Sequence, residues 1–321
     1  MAQPIWRDYS ADLTPYLTDG VVDFSIELGG STIYRGRAVA APDGSCAVRI
    51  NDICAAFLSQ AAPAWPVSPQ PLAVAYPPAL SATFDVVVEG SAVDSVEFIF
   101  DWSYNDIVSA YPSGVLSDPV HDWVADGQPL PLTLHKLTGQ LTTPGGATSF
   151  GDAAADTNTL IRLFDADHPG ASYTITAGTW TKTFKLRTDV CWRWGLLYVN
   201  AFGGWDFLPM PGTATRLDSF DRTEYERRID NSVRSARALV PTVNDITRQW
   251  TLRTGNLSDA ESSRMHHLLA SQDVYLFDLR DASLQAVTIA DTTCTYKTSR
   301  VEKAAVEYAV TVTLAQRRQR R

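Results

Sequence analysis

The sequence predicts a mainly β protein, with a β-sandwich-like N-terminal region and a C-terminal α+β or β-barrel-like module that carries one flanking helix. Two observations support this fold class. Apolar and polar residues alternate in many segments, most clearly over residues 306–314, which is the pattern of a half-buried strand. Paired glycines, Gly29-Gly30 and Gly203-Gly204, interrupt such segments where a two-residue hairpin loop would fit.

The composition changes along the chain and predicts four segments. Residues 1–62 are expected to form a β-meander unit, and residues 80–187 a second β-sandwich-like region. Six prolines from Pro63 to Pro78 mark residues 63–79 as a Pro-rich connector, because proline removes donors from a strand ladder and favours polyproline II. Residues 188–321 form the C-terminal module.

The meander of the first segment is predicted from its turns. The alternating strand Val22–Leu28 leads into Gly29-Gly30, and a second strand runs through Ile33 to Val39. Pro42-Asp43-Gly44 is typical of a turn, since proline fixes φ and glycine accepts a positive φ. We therefore expect a third strand at Cys46–Ile50 that completes the meander.

The C-terminal module contains the clearest helix signal of the sequence. Ser258-Asp259-Ala260-Glu261 is a capping box, whose hydroxyl and carboxylate satisfy two otherwise unpaired amides. Met265, Leu268 and Leu269 then give an apolar stripe, and the helix is expected to end near Ser271. Three strands are predicted to follow it. The last, Val306–Leu314, would bury its valines, Tyr308 and Leu314, and we expect it to be capable of forming a sheet edge. Its other face is small and weakly polar, so we expect that face to be covered by the helix from Ser258, by another subunit, or by both.

Charge and hydropathy exclude several classes of protein. The net charge is −9, made up of −12 over residues 1–185 and +3 over residues 186–321. No apolar run is long enough for a membrane span and the N-terminus lacks a leader pattern, so we expect cytoplasmic synthesis without membrane insertion. The basic end at Arg317–Arg321 is too small, and too poor in aromatic residues, to predict specific binding of nucleic acid.

The common catalytic and metal-binding motifs are absent from the sequence. It has no nucleophile elbow, no Walker loop and no zinc-protease motif, and its five histidines and four cysteines lack the spacing of metal ligands. Asp118 and Asp122 could in principle act as a glycosidase pair, because that chemistry needs only two carboxyl groups. We nevertheless expect a protein without catalytic residues, cofactor or metal.

One stretch of the C-terminal module resembles a known class of protein. The run Trp192–Asp206, together with Tyr225–Arg228, Gly255–Glu261 and Ser271–Leu276, resembles structural proteins from the tail modules of phages and prophages of gut Bacteroidetes. The resemblance covers mainly residues 190–315, and its most distinctive part is the Asn-x-x-Gly-Gly-Trp-Asp hairpin.

The resemblance implies a structural component of a phage tail or baseplate, with a distal-tail-like or ring architecture. Such a protein would be assembled in the host bacterial cytoplasm, would reside in the virion tail, would form a homo-oligomeric ring or collar and would dock neighbouring tail proteins. For the tryptophans of the run, packing in the core and contact at an interface both remain open. The structural or interface candidates are Trp192, Trp194, Tyr198, Asn200, Gly203, Gly204, Trp205, Asp206, Thr311 and Thr313.

A second hypothesis belongs to another functional class. A carbohydrate-binding or adhesive β-sandwich protein of a tail tip or cell surface would present a row of aromatic rings to sugars. The candidates for such a row are Trp65, Trp102, Tyr104, Tyr111 and Trp123. Binding to glycans by a monomer would favour this hypothesis, whereas assembly into rings would favour the structural one.

Overall fold

The computed structural model describes residues 9–50, 53–54, 57, 72–76, 81–99, 114–117, 123–134, 136–143, 146–154, 157–162, 172–187, 190–200, 204–221, 223–226, 239–242, 245–257, 259–262, 265–271, 273–281, 283–290, 307–315 and 318–319. Strands account for most of these residues, which confirms the mainly β fold. Contacts divide the chain into two units. Unit 1 consists of Met1–Asp189 and Tyr198–Phe207, and unit 2 of Val190–Leu197 and Leu208–Arg321.

The strands of unit 1 form four sheets. In chain order they are β1 (Ser10–Asp12), β2 (Val21–Leu28), β3 (Ser31–Val39), β4 (Ala47–Arg49), β5 (Leu72–Tyr76), β6 (Ser81–Val88), β7 (Ser91–Ile99), β8 (Trp123–Ala125), β9 (Pro129–Leu134), β10 (Thr138–Thr143), β11 (Gly146–Gly151), β12 (Thr157–Arg162), β13 (Ser172–Ala177) and β14 (Trp180–Arg187). The sheet orders are β3-β2-β6-β7, β11-β10-β13-β14-β8, β5-β12-β9 and β1-β4. The first sheet takes strands from both sides of residues 63–79.

The first hairpin confirms the two-residue loop that the sequence predicts. Gly29 and Gly30 have φ values of 57° and 77°, and Leu28 lies opposite Ser31. A positive φ at both central positions is the requirement of a type I′ turn. The hairpin β6–β7 repeats this geometry with Glu89 and Gly90, at φ 50° and 78°. The buried side chains of these hairpins, among them Phe24 and Phe84, belong to the core of unit 1.

The predicted three-strand meander is wrong in its last step. β4 lies where the third strand was expected, but it pairs antiparallel with β1 and not with β3. The turn after β3 is closed by Ala41 N donating to Ser45 O at 2.7 Å. Cys46 N then donates to Thr14 Oγ1 at 2.9 Å, and Leu13 N donates to Cys46 O at 2.7 Å. These bonds direct the chain toward β1.

The largest sheet among the described residues has eight strands. Its elements, and those that interrupt it along the chain, are β15 (Trp194–Val199), β16 (Trp205–Met210), β17 (Ala214–Phe220), β18 (Thr223–Glu226), β19 (Leu239–Thr242), β20 (Asp245–Arg253), α1 (Asp259–Ser262), α2 (Met265–Ala270), β21 (Val274–Asp278), β22 (Ser283–Ile289), β23 (Ala309–Leu314) and β24 (Arg318–Gln319). The order is β16-β15-β21-β22-β23-β20-β17, with β24 also pairing with β20. β18 and β19 form a separate two-stranded sheet.

The strand-helix-strand order predicted for the C-terminal module is confirmed. Helical residues begin at Asp259, directly after the predicted cap Ser258, and end at Ala270. Met265 and Leu268 of the predicted stripe are buried, while Leu269 is half-buried. No helix among the described residues is long and apolar enough to cross a membrane.

The expectation that the last long strand is a free sheet edge is wrong. Val310 and Val312 of β23 are fully buried, as predicted. β23, however, lies between β20 and β22, with Thr311 opposite Thr251 and Thr313 opposite Thr288. A strand that is hydrogen-bonded on both sides has no backbone groups left for a further strand, so an edge contact must come from elsewhere.

Candidate interaction surfaces

The loop between β15 and β16 is closed differently from the prediction. Asn200 N donates to Gly204 O at 2.8 Å, and Gly204 N donates to Asn200 Oδ1 at 3.0 Å. The closing pair is therefore separated by three residues along the chain, and the predicted two-residue Gly-Gly turn is wrong. Gly203 lies outside the described residues.

Position 204 requires a glycine because there is no space for a side chain, and not because its backbone is left-handed. Its φ is not in the positive region where glycine is favoured, in contrast to the expectation for a primed turn. A Cβ at this position would lie 2.5 Å from Leu116 O and 2.9 Å from Leu116 Cβ. The close approach of the backbone of Leu116 thus excludes any side chain at position 204 without local movement.

Asn200 organises a buried polar junction in unit 1. Its Nδ2 donates to Leu116 O at 2.7 Å and to Asp206 Oδ2 at 2.8 Å. Asn200 and Asp206 are 1% and 3% exposed. Together with the bond that Asn200 Oδ1 accepts from Gly204 N, these contacts use both ends of the side-chain amide. We call Leu116, Asn200, Gly204 and Asp206 the polar junction.

Burial controls the ionisation of Asp206. Removal of the carboxyl group from water raises the pKa of Asp206 well above its usual range, and this outweighs the opposing effects of the Asn200 hydrogen bond and of Lys182. Burial also raises the pKa of Tyr198, whose side chain is fully buried. Burial therefore favours the neutral acid more strongly at Asp206 than at an aspartate in water.

A second set of hydrogen bonds extends the polar junction to β9. Ser117 Oγ donates to Trp205 O at 3.0 Å and accepts from Thr133 N at 2.7 Å. Trp205 N donates to Thr133 Oγ1 at 3.1 Å, and Trp205 is 2% exposed. Five of the structural or interface candidates are thus buried within their own chain: Tyr198, Asn200, Gly204, Trp205 and Asp206. Asn200 and Trp205 connect segments that are distant in sequence.

The two tryptophans before this loop pack within unit 2. Trp192 is buried and stacks on Phe277, with ring centroids 6.0 Å apart. Trp194 is half-buried and lies against Trp250 at 6.2 Å, with the guanidinium of Arg193 4.5 Å from the centre of its ring. These contacts agree with packing of the tryptophans in the core rather than at an interface. They fix the start of β15 against Phe277 and Trp250.

Arg193 also forms an ion pair with a buried acid of unit 2. Its Nε and Nη2 donate to Asp278 Oδ1 and Oδ2 at 3.1 and 2.8 Å. Arg280 N donates to Asp278 Oδ1 at 3.1 Å. Burial opposes ionisation, but the Arg193 hydrogen bonds and the other donors prevail, so the pKa of Asp278 is lowered.

Thr311 and Thr313 belong to an uncharged face of the large sheet. Residues directly opposite each other in adjacent strands share a face. One row consists of Thr215, Thr251 and Thr311, and the next consists of Leu217, Gln249, Thr313 and Thr288. We call these seven residues the threonine face. Thr215, Leu217 and Thr288 are exposed, and the other four are half-buried.

The end of this sheet at β17 was missed by the sequence analysis. All residues of β17 are exposed except Asp218, which is half-buried. Because both faces of the strand are accessible, its sequence has no alternation of apolar and polar residues to reveal it. The only usable signal would have been the apolar residues Leu217 and Phe220 among polar neighbours.

Two shallow clefts in unit 1 flank the ion pair of Asp23 and Arg37. The pair is held by Arg37 Nε and Nη2, at 2.6 and 2.9 Å from the carboxylate oxygens. One cleft, of about 600 Å³, includes Phe24 and Glu27, and the other, of about 510 Å³, includes the exposed ring of Tyr16. These clefts contain polar and aromatic groups of the kind that bind polar ligands.

The residues proposed for sugar binding are described only in part. Trp123 is half-buried, with the guanidinium of Arg187 5.2 Å from the centre of its ring. The other four lie outside the described residues: Trp65, Trp102, Tyr104 and Tyr111. Asp118 and Asp122, considered above as a catalytic pair, also lie outside them.

Comparison with known proteins identifies no family. No family model matches the chain, and no curated protein matches it. One solved structure, of the surface layer protein SbsC, domains 4–9, is similar over 94% of this chain at 12% identity. The chain spans 36% of that protein's chain, and the TM-score is 0.17. At this TM-score the likeness carries no argument about fold or function.

Proposed function

We propose that this chain is a structural building block of a phage tail or baseplate, which forms a homo-oligomeric ring and docks neighbouring tail proteins. The resemblance of residues 190–315 to such proteins suggests the class. The observation that supports a packing role is the threonine face, which presents two registered rows of uncharged side chains.

The composition of the threonine face suits a contact with another protein. A sheet face that meets only water usually carries charged side chains, which oppose unwanted association. Here four strands contribute hydroxyl, amide and one leucine side chain, and Arg253, which is on the same side of β20, pairs with Glu307 at one end of this face. Desolvating hydroxyl groups on a flat surface is less costly than desolvating charges, so a partner could cover this face.

The proposal is tested first with particles. Virions or tail-like particles purified from the producing strain should contain this chain in many copies, and a null mutant should yield particles without assembled tails. Absence of the chain from intact particles would contradict the tail assignment. Electron microscopy of the purified chain then tests ring formation separately.

A second candidate function is glycan binding by unit 1. It is favoured by the clefts beside Asp23 and Arg37, where the 40% exposed ring of Tyr16 lies near charged groups. Aromatic rings with adjacent polar side chains are a suitable surface for sugars. Binding on a glycan array that is lost in Tyr16→Ala, and retained in the control Thr288→Ala of unit 2, would support this function. Absence of binding by the parent would exclude the tested glycans.

A further inference from the structure

β17 has the properties of an open sheet edge. Among the described strands of its sheet it pairs only with β20, so its other side has no strand partner there. Leu217 is 57% exposed and Phe220 is 58% exposed, and they lie on opposite faces of the strand. An accessible edge that also exposes apolar side chains is suited to pairing with another strand.

We propose that β17 pairs antiparallel with β17 of a second copy of this chain, about a two-fold axis that passes beside Leu217. The two sheets would then form one continuous sheet across the contact. This pairing rests on the surface of unit 2 alone, and it does not depend on the tail assignment.

The charges on β17 match this arrangement. With Leu217 opposite Leu217 of the second copy, Arg216 lies opposite Asp218, and Asp218 lies opposite Arg216. Opposite charges directly across an antiparallel pair stabilise it, and like charges destabilise it. Both side chains are accessible for such contacts, since they are 49% and 24% exposed.

The remaining residues of β17 are complementary in the same register. On the face of the charged pair, Phe220 lies opposite Ala214, so a large ring meets a methyl group. On the other face, Thr215 lies opposite Ser219 on each side of the central leucine pair. The β17 sequence, Ala-Thr-Arg-Leu-Asp-Ser-Phe, is thus complementary in size and in charge to the same sequence running in the opposite direction.

The neighbouring registers are unfavourable. A two-fold axis perpendicular to the sheet keeps each residue on its own face, so the register can change only in steps that pair residues of the same face. Centring the axis on Arg216 places two arginines opposite each other, and centring it on Asp218 places two aspartates opposite each other. The Leu217 register alone, among these three, avoids like charges.

Contacts within the chain hold the charged side chains in place. Arg216 Nε lies 2.8 Å from Asp218 Oδ1, Arg248 Nε lies 3.3 Å from the same oxygen, and the guanidinium of Arg216 is 5.9 Å from the centre of the Trp250 ring. A small rotation of the Arg216 and Asp218 side chains would exchange the ion pair within each chain for ion pairs with the second copy. Since this contact is isologous, it closes with two copies, and a ring would require a different surface.

The experiment is a charge exchange measured by sedimentation over a range of protein concentrations. The parent is expected to dimerise reversibly. Asp218→Arg and Arg216→Asp should each raise the dimer Kd by about tenfold or more, because like charges then face each other. The double variant Arg216→Asp/Asp218→Arg restores opposite charges and should restore the dimer. A matched control is Arg253→Asp, which reverses an arginine 48% exposed in another ion pair of unit 2.

Cysteine cross-linking tests the register in a Cys191→Ser/Cys294→Ser background. Side chains directly opposite each other in an antiparallel pair come within about 5 Å, near the spacing of a disulfide. Leu217→Cys should therefore form a disulfide-linked dimer faster than Arg216→Cys or Asp218→Cys. A parent that is monomeric at all concentrations overturns the proposal. So does a dimer that Asp218→Arg leaves unchanged, or a fastest cross-link at another position.

Discussion

Among the described residues each unit buries one aspartate, and the pKa values of the two are shifted in opposite directions. Asp206 of unit 1 receives a hydrogen bond from the neutral amide of Asn200, and its pKa is raised. Asp278 of unit 2 receives two bonds from the guanidinium of Arg193, and its pKa is lowered. The opposite directions have two causes: Asp206 is more deeply removed from water, and Asp278 has a charged partner and an additional backbone donor.

The strongest test of the unit 1 arrangement is Gly204→Val. The new side chain would collide with the backbone of Leu116, so the polar junction must open or shift, at a cost of about 3 kcal/mol in the free energy of unfolding. Thermal and urea unfolding followed by circular dichroism measure this change. The control Gly30→Ala has open space around its Cβ and a positive φ, so it should cost only about 1 kcal/mol. Equal effects of the two variants would contradict the steric role of Gly204.

The ion pair of unit 2 is tested by Arg193→Ala. This variant leaves Asp278 nearly buried with Arg280 N as its remaining donor described above, so the free energy of unfolding should fall. The loss is limited because Arg193 is 42% exposed and water screens the pair. Arg253→Ala, which breaks an exposed pair, should cost under about 0.5 kcal/mol. A similar loss in both variants would show that burial of Asp278 is unimportant.

The pH dependence of stability should differ in sign between the two aspartates. Folded Asp206 keeps a proton that the unfolded chain releases above about pH 4, so its contribution to stability falls as the pH rises toward its raised folded pKa. Folded Asp278 is ionised below its ordinary pKa, so its contribution is present above about pH 4 and is lost as the pH falls through the lowered folded pKa.

The variant Asp206→Asn isolates the first of these contributions. It removes the ionisable group while the amide oxygen can still accept from Asn200, so stability at pH 7 should rise by about 1 kcal/mol. The decline in stability as the pH rises above about 4 should become shallower, which denaturant midpoints over a series of pH values measure. If Asp206→Asn destabilises the chain and leaves the pH dependence unchanged, Asp206 is ionised in the folded state.

The smallest effect on folding is expected at the threonine face. Thr311→Lys/Thr313→Lys leaves the buried Val310 and Val312 in place, so the free energy of unfolding should change by less than about 1 kcal/mol. If this face contacts a partner, the added charges should prevent ring assembly, which electron microscopy and sedimentation can detect. Rings of unchanged stability would place the ring interface on another surface.

The sequence predicted several elements in which one side is buried, although it did not predict β10, whose buried residues are Gly139 and Leu141. The alternation at Val310 and Val312, the Gly29-Gly30 turn and the helix stripe at Met265 and Leu268 are all confirmed, because each is a local pattern created by a one-sided environment. β17 was missed, because a strand exposed on both faces has no such pattern.

Features that depend on distant partners could not be predicted. Gly204 was read as a turn residue, whereas its requirement comes from Leu116, far away in the sequence. In the same way, β4 pairs with β1 because Cys46, directly before β4, is hydrogen-bonded to Leu13 and Thr14. The residues of β4 alone do not reveal these distant partners. Local periodicity contains no information on which remote segment arrives beside a loop.

The discontinuity of unit 1 has a consequence for folding during synthesis. Its segment Tyr198–Phe207 supplies Asn200, Trp205 and Asp206 to hydrogen bonds with Leu116, Ser117 and Thr133. A ribosome that adds about 5–20 residues per second needs several seconds to go from residue 133 to residue 207. During that interval the groups around Leu116 lack their final partners. Unit 1 can therefore complete its fold only after synthesis of unit 2 has begun, and the nascent chain would need protection from aggregation until then.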